Sequence, residues 1–468
     1  MFAQIDKCYF IGIGGIGMSA LARWFVQKGC FVAGYDRTPT DLTHQLEAEG
    51  MSIHFEDDPA LIPPVFTQSP RQEVLVVYTP AIPANHKEWH FFQQQGFTIR
   101  KRAEVLAQLT HNHFTIAIAG THGKTTTTSL LAHILYNSNI AFTAFAGGII
   151  QGYEQNLLHR AGARLPEVML VEADEYDKSF LHLQPDLAVI TAMDADHLDI
   201  YGNESHLIAT FQEFAQKIKE GGHIFVKKGL PIVEFLNKKN VTFAEYSITE
   251  KSDYYTQDIQ SQEDGFGFDW FGPQQNIKNL RLGMPGFHNV ENATVAIALA
   301  RQLGIDEDTI RTSLATFKGV RRRFEYIVKQ KDRVMIDDYA HHPREIEALL
   351  RSVRALYPAK KITAVFQPHL YSRTRDLAEG FAQSLDLADE IILLEIYPAR
   401  EQPIPGVDST MILNKMKNKA KRICPKAALL ACLQENYQKL EVLLTIGAGD
   451  ISEWVLPLKE MMSENGIK

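Results

Sequence analysis

Residues 119–128 read AGTHGKTTTT and follow the apolar run FTIAI. An apolar strand, a glycine-bearing turn and a helix together form an arrangement in which backbone N–H groups and a helix N-terminus hold phosphate. Gly120 and Gly123 let the backbone fold around a phosphate group, Lys124 supplies a point charge, and the Thr125 hydroxyl is placed for Mg²⁺. The stretch therefore predicts an α/β domain with an ATP-binding loop. That loop comprises Gly120, Thr121, His122, Gly123, Lys124, Thr125 and Thr126.

Two acidic segments follow apolar strands further along the same block. VEADEYD places Glu172 at one strand end, and MDADHLDIYG places His197 near another. In an open α/β sheet, ligands gather at the carboxyl ends of the strands. Mg²⁺ prefers oxygen ligands, so one imidazole would be a minority ligand beside carboxylate, hydroxyl, phosphate and water. The sequence predicts a magnesium site beside the Thr125 hydroxyl, and its candidate ligands at the two strand ends are Glu172, Asp174, Asp194, Asp196, His197 and Asp199.

The chain begins with a second phosphate-type signature, IGIGGIGMSA at residues 11–20. This G-x-G-x-x-G pattern after an apolar run is typical of a turn that holds a dinucleotide pyrophosphate at a helix N-terminus. Asp36 lies at the distance where such folds bind a ribose. The pattern alone leaves NAD, FAD and other diphosphates open.

The last third of the chain carries polar side chains at predicted strand ends. DDYAHHP contains Asp338, which could bind ribose hydroxyls, and His341 and His342, which could contact phosphate or carboxylate. FQPHLYSRT adds His369 and Arg373. An arginine of RRRFE either belongs to a basic surface run or reaches a nucleotide phosphate from a hinge.

Strand–turn–helix units recur in three blocks, which predicts parallel sheets and a three-domain α/β protein. The expected domains are a Rossmann-like domain (1–110), a central P-loop ATPase-type domain (111–322) and a second Rossmann-like domain (323–468). The segment 228–283, with alternating Thr, Tyr and Phe, predicts a small antiparallel part of the central sheet.

The bulk composition narrows the class of protein. A net charge of −8 and a pI near 6.1 argue against nucleic acid or an anionic membrane surface as a partner. The four cysteines have no metal-binding spacing, which favours reduced thiols in a cytoplasmic protein. No apolar run is long enough for a membrane span.

Taken together, these motifs resemble the Mur ligase family of peptidoglycan synthesis in order and spacing along the whole chain. The matching segments are GIGGIGMS, RAEVL, GTHGKTTTT, EADEYDKSFLHLQPD, ADHLDIYG, PGFHNVENATVAIA, GVRRRFE, DDYAHHP, FQPHLYSRTRDL and GAGDI. The resemblance implies an ATP- and Mg²⁺-dependent ligase that joins L-alanine to the lactyl carboxylate of UDP-N-acetylmuramate through an acyl phosphate. It also implies that the first glycine turn holds UDP and that the third domain closes over the site. A monomer or weak homodimer is expected.

The resemblance assigns roles to individual residues. Lys124, Glu172, His341 and Arg373 are the implied catalytic residues, and Asn292, Arg323 and Asp338 the implied nucleotide contacts beyond the loop. Glu172 and His197 match family magnesium ligands. The implied sugar-nucleotide and amino-acid contacts are Gly12, Gly14, Gly15, Ile16, Gly17, Thr79, Arg102, His369 and Arg373.

One residue departs from the family pattern near the expected amino-acid site. Many relatives have arginine after the histidine of FQPH, where this chain has Leu370. A cation near the amino-acid carboxylate is then absent, which leaves Arg373 or another group for that role.

Three other functions remain open from the sequence. A muropeptide-recycling ligase would add a tripeptide to the same sugar nucleotide. An NAD-dependent dehydrogenase would explain GIGGIG and Asp36 but not GTHGKTTTT. A P-loop ATPase would hydrolyse ATP without ligation.

Overall fold

The computed structural model describes residues 2, 4–162, 164–194, 201–232, 240–262, 265–273, 275–399 and 401–463. The chain forms two compact units. The first comprises Met1–Tyr254 and Val295–Ser313, and the second comprises Tyr255–Thr294 and Leu314–Lys468. His197, one of the predicted magnesium ligands, lies outside the described residues.

A five-stranded parallel sheet opens the first unit, with strand order β3-β2-β1-β4-β5. Its strands are β1 (Lys7–Ile11), β2 (Phe31–Tyr35), β3 (Ser52–His54), β4 (Val74–Tyr78) and β5 (Thr98–Lys101). Its helices are α1 (Ile16–Gln27), α2 (Asp41–Ala48), α3 (Pro64–Gln68), α4 (Lys87–Gln94) and α5 (Arg102–Thr110). Strand β1 reads KCYFI and is almost wholly buried, as expected for a central strand covered on both faces. The glycine turn follows β1 directly and therefore lies at the carboxyl end of this central strand.

The second sheet of this unit runs β12-β11-β10-β6-β9-β7-β8. Its strands are β6 (Phe114–Ala119), β7 (Ile140–Ile150), β8 (Gln155–Arg160), β9 (Arg164–Glu172), β10 (Leu187–Ile190), β11 (His223–Lys227) and β12 (Thr242–Ser247). Helices α6 (Lys124–Asn137) and α7 (Glu204–Gln216) follow β6 and β10 in the chain. Strand β6 pairs in parallel with both β9 and β10, so the phosphate loop leaves the sheet between the two acidic strand ends.

The antiparallel prediction for residues 228–283 is wrong at its start. Strand β12 pairs in parallel with β11. Sequence reasoning also missed the antiparallel hairpin of β7 and β8. Alternation of apolar residues does not distinguish parallel from antiparallel pairing when both faces of a strand are covered.

One hydrophobic core serves both sheets of the first unit. It includes Phe10 and Leu21 from the first sheet and its helix α1, and Val171 and Phe211 from β9 and α7 of the second. These four side chains are at most 1 % exposed. The glycine turn and the phosphate loop therefore lie on elements that pack against a common core.

The second unit contains an antiparallel group and a mostly parallel six-stranded sheet. The antiparallel strands are β13 (Tyr254–Gln262), β14 (Gly265–Phe271) and β15 (Asn276–Leu282), and this part of the prediction is confirmed. The six-stranded sheet has the order β16-β17-β21-β18-β19-β20. Its strands are β16 (Glu325–Lys329), β17 (Val334–Asp338), β18 (Ile362–Phe366), β19 (Glu390–Leu393), β20 (Lys421–Ile423) and β21 (Val442–Ile446). Only β16 is antiparallel to its neighbour in that sheet.

The remaining helices complete the α/β architecture. They are α8 (Phe287–Gln302), α9 (Glu307–Thr316), α10 (Pro343–Leu356), α11 (Tyr371–Leu385), α12 (Thr410–Lys415), α13 (Leu429–Gln434) and α14 (Val455–Ser463). None of the helices in the described ranges is both long and apolar enough to cross a bilayer. The predicted three-domain α/β class is confirmed, while the boundaries at 110 and 322 stay predictions.

Candidate active site

The phosphate loop presents a row of open backbone donors. Helix α6 begins at Lys124 after Gly123, which has φ +82°, and no side chain caps it. Within the described residues, the N–H groups of Gly123, Lys124 and Thr125 have no protein acceptor. A Cβ on Gly120 (φ +132°) would collide with the Thr191 hydroxyl. Open donors at the N-terminus of a fourteen-residue helix form an anion site.

Two other loop residues anchor this turn. The Thr121 N–H donates to Ala192 O at 3.0 Å, and the Thr121 hydroxyl accepts the N–H of Asp194 at 3.0 Å. His122 Nε2 lies 3.2 Å from a carboxylate oxygen of Asp194. Thr126 is buried in the first turn of α6. The predicted loop residues are thus brought together, with Thr121 and His122 bound to the strand end after β10.

Lys124 is held by a carboxylate that sequence reasoning missed. Its Nζ donates to Gly120 O at 2.6 Å and to both oxygens of Glu175, at 2.7 and 3.0 Å. Glu175 is fully buried. Burial lowers the pKa of Lys124, but Glu175, Asp174 and Glu172 outweigh this effect and raise it to about 12. Glu175 lies within EADEYD, but its contact depends on the backbone path after β9, which the sequence pattern does not specify.

Thr125 and Glu172 provide adjacent oxygen ligands. The Thr125 hydroxyl donates to Glu172 Oε1 at 3.0 Å, and the Gly147 N–H donates to Glu172 Oε2 at 2.8 Å. Burial raises the pKa of Glu172, against the opposing effect of Lys124. No cluster of three or more His, Cys, Asp or Glu side chains suited to a metal occurs in the described part of the chain. A hydroxyl and one carboxylate fit Mg²⁺, which usually takes its other ligands from phosphate and water.

The glycine turn before α1 also presents open backbone donors, as the phosphate loop does. Gly15 precedes the helix without a side-chain cap, and in the described ranges the N–H groups of Ile16 and Gly17 have no protein acceptor. Gly12 has φ +88°, and a Cβ there would meet Thr79 Cγ2 at 2.5 Å. The Thr79 hydroxyl accepts the N–H of Ala81 at 3.4 Å. The predicted substrate residues of this turn therefore lie together around an open helix N-terminus.

Asp36 stabilises the turn itself. One carboxylate oxygen accepts the N–H of Gly14 at 2.7 Å, and the other accepts the N–H of Thr38 at 3.3 Å. Both oxygens of Asp36 therefore bind backbone donors of its own segment and of the glycine turn.

A second polar contact missed by the sequence fixes α1 to the other sheet. Asn156, on β8, is fully buried. Its amide nitrogen donates to Ile16 O at 2.5 Å and to the Ser19 hydroxyl at 2.9 Å, and its oxygen accepts from Arg23 at 2.5 Å. Nothing in the sequence around Asn156 indicates that it contacts Ser19, which lies 137 positions earlier in the chain.

In the second unit, three predicted residues lie close to one another. The rings of His341 and His369 are 6.2 Å apart, and Arg373 Nη1 lies 3.5 Å from His369 Nδ1. His341 Nδ1 lies 3.0 Å from Tyr339 O. Leu370 has φ +69° and is only 7 % exposed, so the residue that replaces the family arginine points into the protein.

The predicted nucleotide contacts of this unit are all partly or fully buried. Asp338 accepts the N–H groups of Phe324 and Ala340 at 2.7 and 2.8 Å. Arg323 lies 3.7 Å from Glu345. The remaining predicted contact, Asn292, is 7 % exposed, and its amide donates to Asn289 at 3.4 Å. Their roles toward a nucleotide stay predictions.

Replacing Asp338 by asparagine is expected to flatten the pH dependence of stability in mild acid. Burial raises the pKa of the Asp338 carboxyl to about 6, against the opposing effect of Arg323. The folded chain therefore binds this proton more tightly than the unfolded chain, whose aspartates titrate near pH ~3.9. The contribution of Asp338 to the free energy of unfolding should therefore fall as pH rises from about 4 to about 6, by on the order of 2 kcal/mol.

Urea-unfolding midpoints across this pH range would measure the effect. Asp332→Asn, at an exposed position between β16 and β17, is the control and should keep the wild-type slope. A slope that is equally steep in Asp338→Asn would contradict the prediction.

Comparison with known proteins places the chain in a family. The model "Mur ligase family, catalytic domain" matches residues 7–114, "Mur ligase middle domain" matches 118–300, and "Mur ligase, glutamate ligase domain" matches 322–449. The UDP-N-acetylmuramate–L-alanine ligase of Flavobacterium johnsoniae is 48 % identical over 99 % of both chains. The chain belongs to the Mur ligase family.

Other Mur ligases agree with this placement. The UDP-N-acetylmuramate–L-alanine ligase of Parabacteroides distasonis is 46 % identical over 98 % of both chains. The crystal structure of the UDP-N-acetylmuramate–alanine ligase of Thermotoga maritima has a TM-score of 0.79 and 28 % identity, covering 97 % of this chain and 98 % of that one. A murein peptide ligase of Psychrobacter arcticus, at 22 % identity and a TM-score of 0.70 over 99 % of this chain and 100 % of its own, shares the fold. The predicted family is confirmed.

Proposed function

We propose that this Mur ligase joins L-alanine to the lactyl carboxylate of UDP-N-acetylmuramate, with release of ADP and phosphate. The observation that carries the proposal is the presence of two open helix N-termini, at α1 and α6, within one unit. One can hold the diphosphate of a sugar nucleotide and the other the phosphates of ATP. The names of the relatives that match the full chain support the choice of substrates.

The residues of the first unit are suited to phosphoryl transfer. When bound, MgATP supplies the γ-phosphoryl group that converts the carboxylate, whose oxygen is a poor leaving group, into an acyl phosphate. Thr125 and Glu172 would hold Mg²⁺, with His197 as the third ligand predicted from the family. Lys124 is fixed by Glu175 and Gly120 O, so its charge is in place before phosphate arrives. Such transfer depends mainly on positioning and electrostatics.

The residues of the second unit are suited to handling the amine. If His341 Nδ1–H donates to Tyr339 O, Nε2 is the basic nitrogen of the neutral ring. This nitrogen can orient the amine of L-alanine or accept its proton. With Leu370 turned inward, Arg373 is the proposed partner of the alanine carboxylate. Closure of the third domain, residues 323–468, would protect the acyl phosphate from water. We further propose a cytoplasmic location and a monomer or weak homodimer.

Substrate choice is tested by phosphate release from ATP in the presence of UDP-N-acetylmuramate and a panel of amino acids. L-alanine should give the highest kcat/KM. Faster turnover with a tripeptide would favour the recycling ligase, and phosphate release without any amino acceptor would favour a simple ATPase.

The acyl phosphate is tested by trapping. ATP, Mg²⁺, the sugar nucleotide and hydroxylamine, without amino acid, should yield a hydroxamate of the lactyl carboxylate, because hydroxylamine attacks an activated acyl group. Mass spectrometry would detect it. Omission of ATP is the control, and absence of hydroxamate under conditions that support full turnover would count against the intermediate.

A further inference from the structure

Arg102 contacts elements from both sheets of the first unit. It begins α5, and its guanidinium packs over Gly17 in the first turn of α1, where a Cβ would lie 2.6 Å from Arg102 Nη1. On its other side, Arg102 Nη2 lies 3.5 Å from Asp174 Oδ2. The Arg102 side chain is 20 % exposed. Its charge thus lies beside the open N–H groups that would hold a diphosphate.

Asp174 is well placed to hold this guanidinium. It follows β9, where its Oδ1 accepts the N–H of Tyr176 at 3.1 Å and its backbone oxygen accepts the N–H of Phe180 at 3.0 Å. Asp177 and Lys178, which follow in the same loop, both adopt left-handed backbone conformations, with φ of 53° and 56°. A loop bonded at several points gives the Asp174 carboxylate a defined position.

Asp174 is two residues from Glu172, so its place in the sequence suggests a role toward Mg²⁺ or ATP. Its charge does act on Lys124, but its hydrogen bond to another side chain joins it to Arg102. The carboxylate contacts Arg102 of α5, whereas Glu172 contacts Thr125 and Glu175 contacts Lys124. The distance of 3.5 Å exceeds that of a tight charge-assisted bond, so the guanidinium can gain a second anionic partner.

We propose that Asp174 is a positioning residue that holds Arg102 over the first turn of α1, ready for the diphosphate of the sugar nucleotide. The inference rests on the proposed function, because it takes the ligand of this turn to be UDP-N-acetylmuramate. Loss of the Asp174 charge should therefore weaken binding of the sugar nucleotide, although Asp174 belongs to the strand end of the ATP site.

The test compares Asp174→Asn with wild type in the full-length enzyme. We expect the KM for UDP-N-acetylmuramate to rise about fivefold, since loss of one ordinary hydrogen bond is an effect of that order. The KM values for ATP and Mg²⁺ should change less than the KM for the sugar nucleotide, because Lys124, Thr125 and Glu172 keep their hydrogen bonds although they lose the charge of Asp174 nearby. Calorimetric titration with UDP-N-acetylmuramate alone should show the same weakening without ATP.

The chain offers a matched control. Lys101 and Asp177 join the same two segments at the same distance, 3.5 Å, but both side chains are more than 40 % exposed. Lys101→Gln should therefore leave the KM for the sugar nucleotide unchanged. Arg102→Ala and the double variant Arg102→Ala/Asp174→Asn complete a cycle, and the double variant should bind no more weakly than Arg102→Ala.

The outcomes separate this inference from the proposed function. A rise in the KM for ATP or Mg²⁺ as large as that for the sugar nucleotide, additive effects in the cycle, or unchanged sugar-nucleotide binding by Asp174→Asn beside normal wild-type binding would overturn the role of Asp174 alone. Failure of the wild type to bind UDP-N-acetylmuramate would overturn the proposed function, and the inference with it.

Discussion

Lys124→Ala is expected to reduce kcat by about 10³-fold or more, because a fixed charge at the transferring phosphoryl group is lost. Binding of UDP-N-acetylmuramate should persist, since the open donors of α1 and the Arg102 guanidinium make no hydrogen bond to Lys124. Steady-state phosphate release measures the first effect, and calorimetric titration with the sugar nucleotide measures the second. Equal loss of both would contradict the assignment of two separate anion sites.

The Lys124 variant needs a control for stability. Alanine at this position leaves the carboxylate of Glu175 buried without its cation, and such removal of one partner is strongly destabilising. The double variant Lys124→Ala/Glu175→Gln removes both charges. It should regain thermal stability relative to Lys124→Ala while remaining inactive. Recovery of turnover in the double variant would show that the single variant had only lost its fold.

Glu172→Gln is expected to lower kcat by about 10²–10³-fold and to raise the Mg²⁺ concentration needed for half-maximal rate, because an amide is a weaker ligand than a carboxylate. The glutamine amide oxygen can still accept the N–H of Gly147, and its amide nitrogen can donate to the Thr125 hydroxyl, so the local fold should remain. Phosphate release measured across a magnesium titration is the appropriate assay.

Glu167 provides the matched control for Glu172. It lies on the same strand and accepts the hydroxyl of Thr143 at 2.7 Å, as Glu172 accepts that of Thr125. Glu167→Gln should leave kcat and the magnesium dependence close to those of wild type. A similar loss in both variants would indicate that the strand, and not the ligand, is responsible.

The sequence was most informative where function depends on local spacing. Gly120, Gly123, Lys124 and Thr125 occur within six residues, so a single strand–turn–helix unit brings them together. The glycine turn at residues 11–20 was predictable for the same reason. Polar residues at the ends of parallel strands were also predictable, because neighbouring strands of such a sheet share one carboxyl edge.

Contacts between distant segments could not be predicted in this way. Glu175 follows two other acidic residues, and only the backbone after β9 shows which of them reaches Lys124. Asn156 reaches α1 through the β7–β8 hairpin, which the strand pattern did not reveal. Asp36 has the spacing of a ribose ligand but binds Gly14, since spacing specifies a location and not a partner.

The hydrophobic core shared by the two sheets of the first unit has a consequence for how the protein can be divided. A cut near residue 110 would pass through one continuous apolar interior that includes Leu109 and Ala117. Neither fragment could bury that surface alone, so each should aggregate when expressed separately. The two sheets of the first unit should then melt in one transition, and destabilisation of either sheet would unfold both.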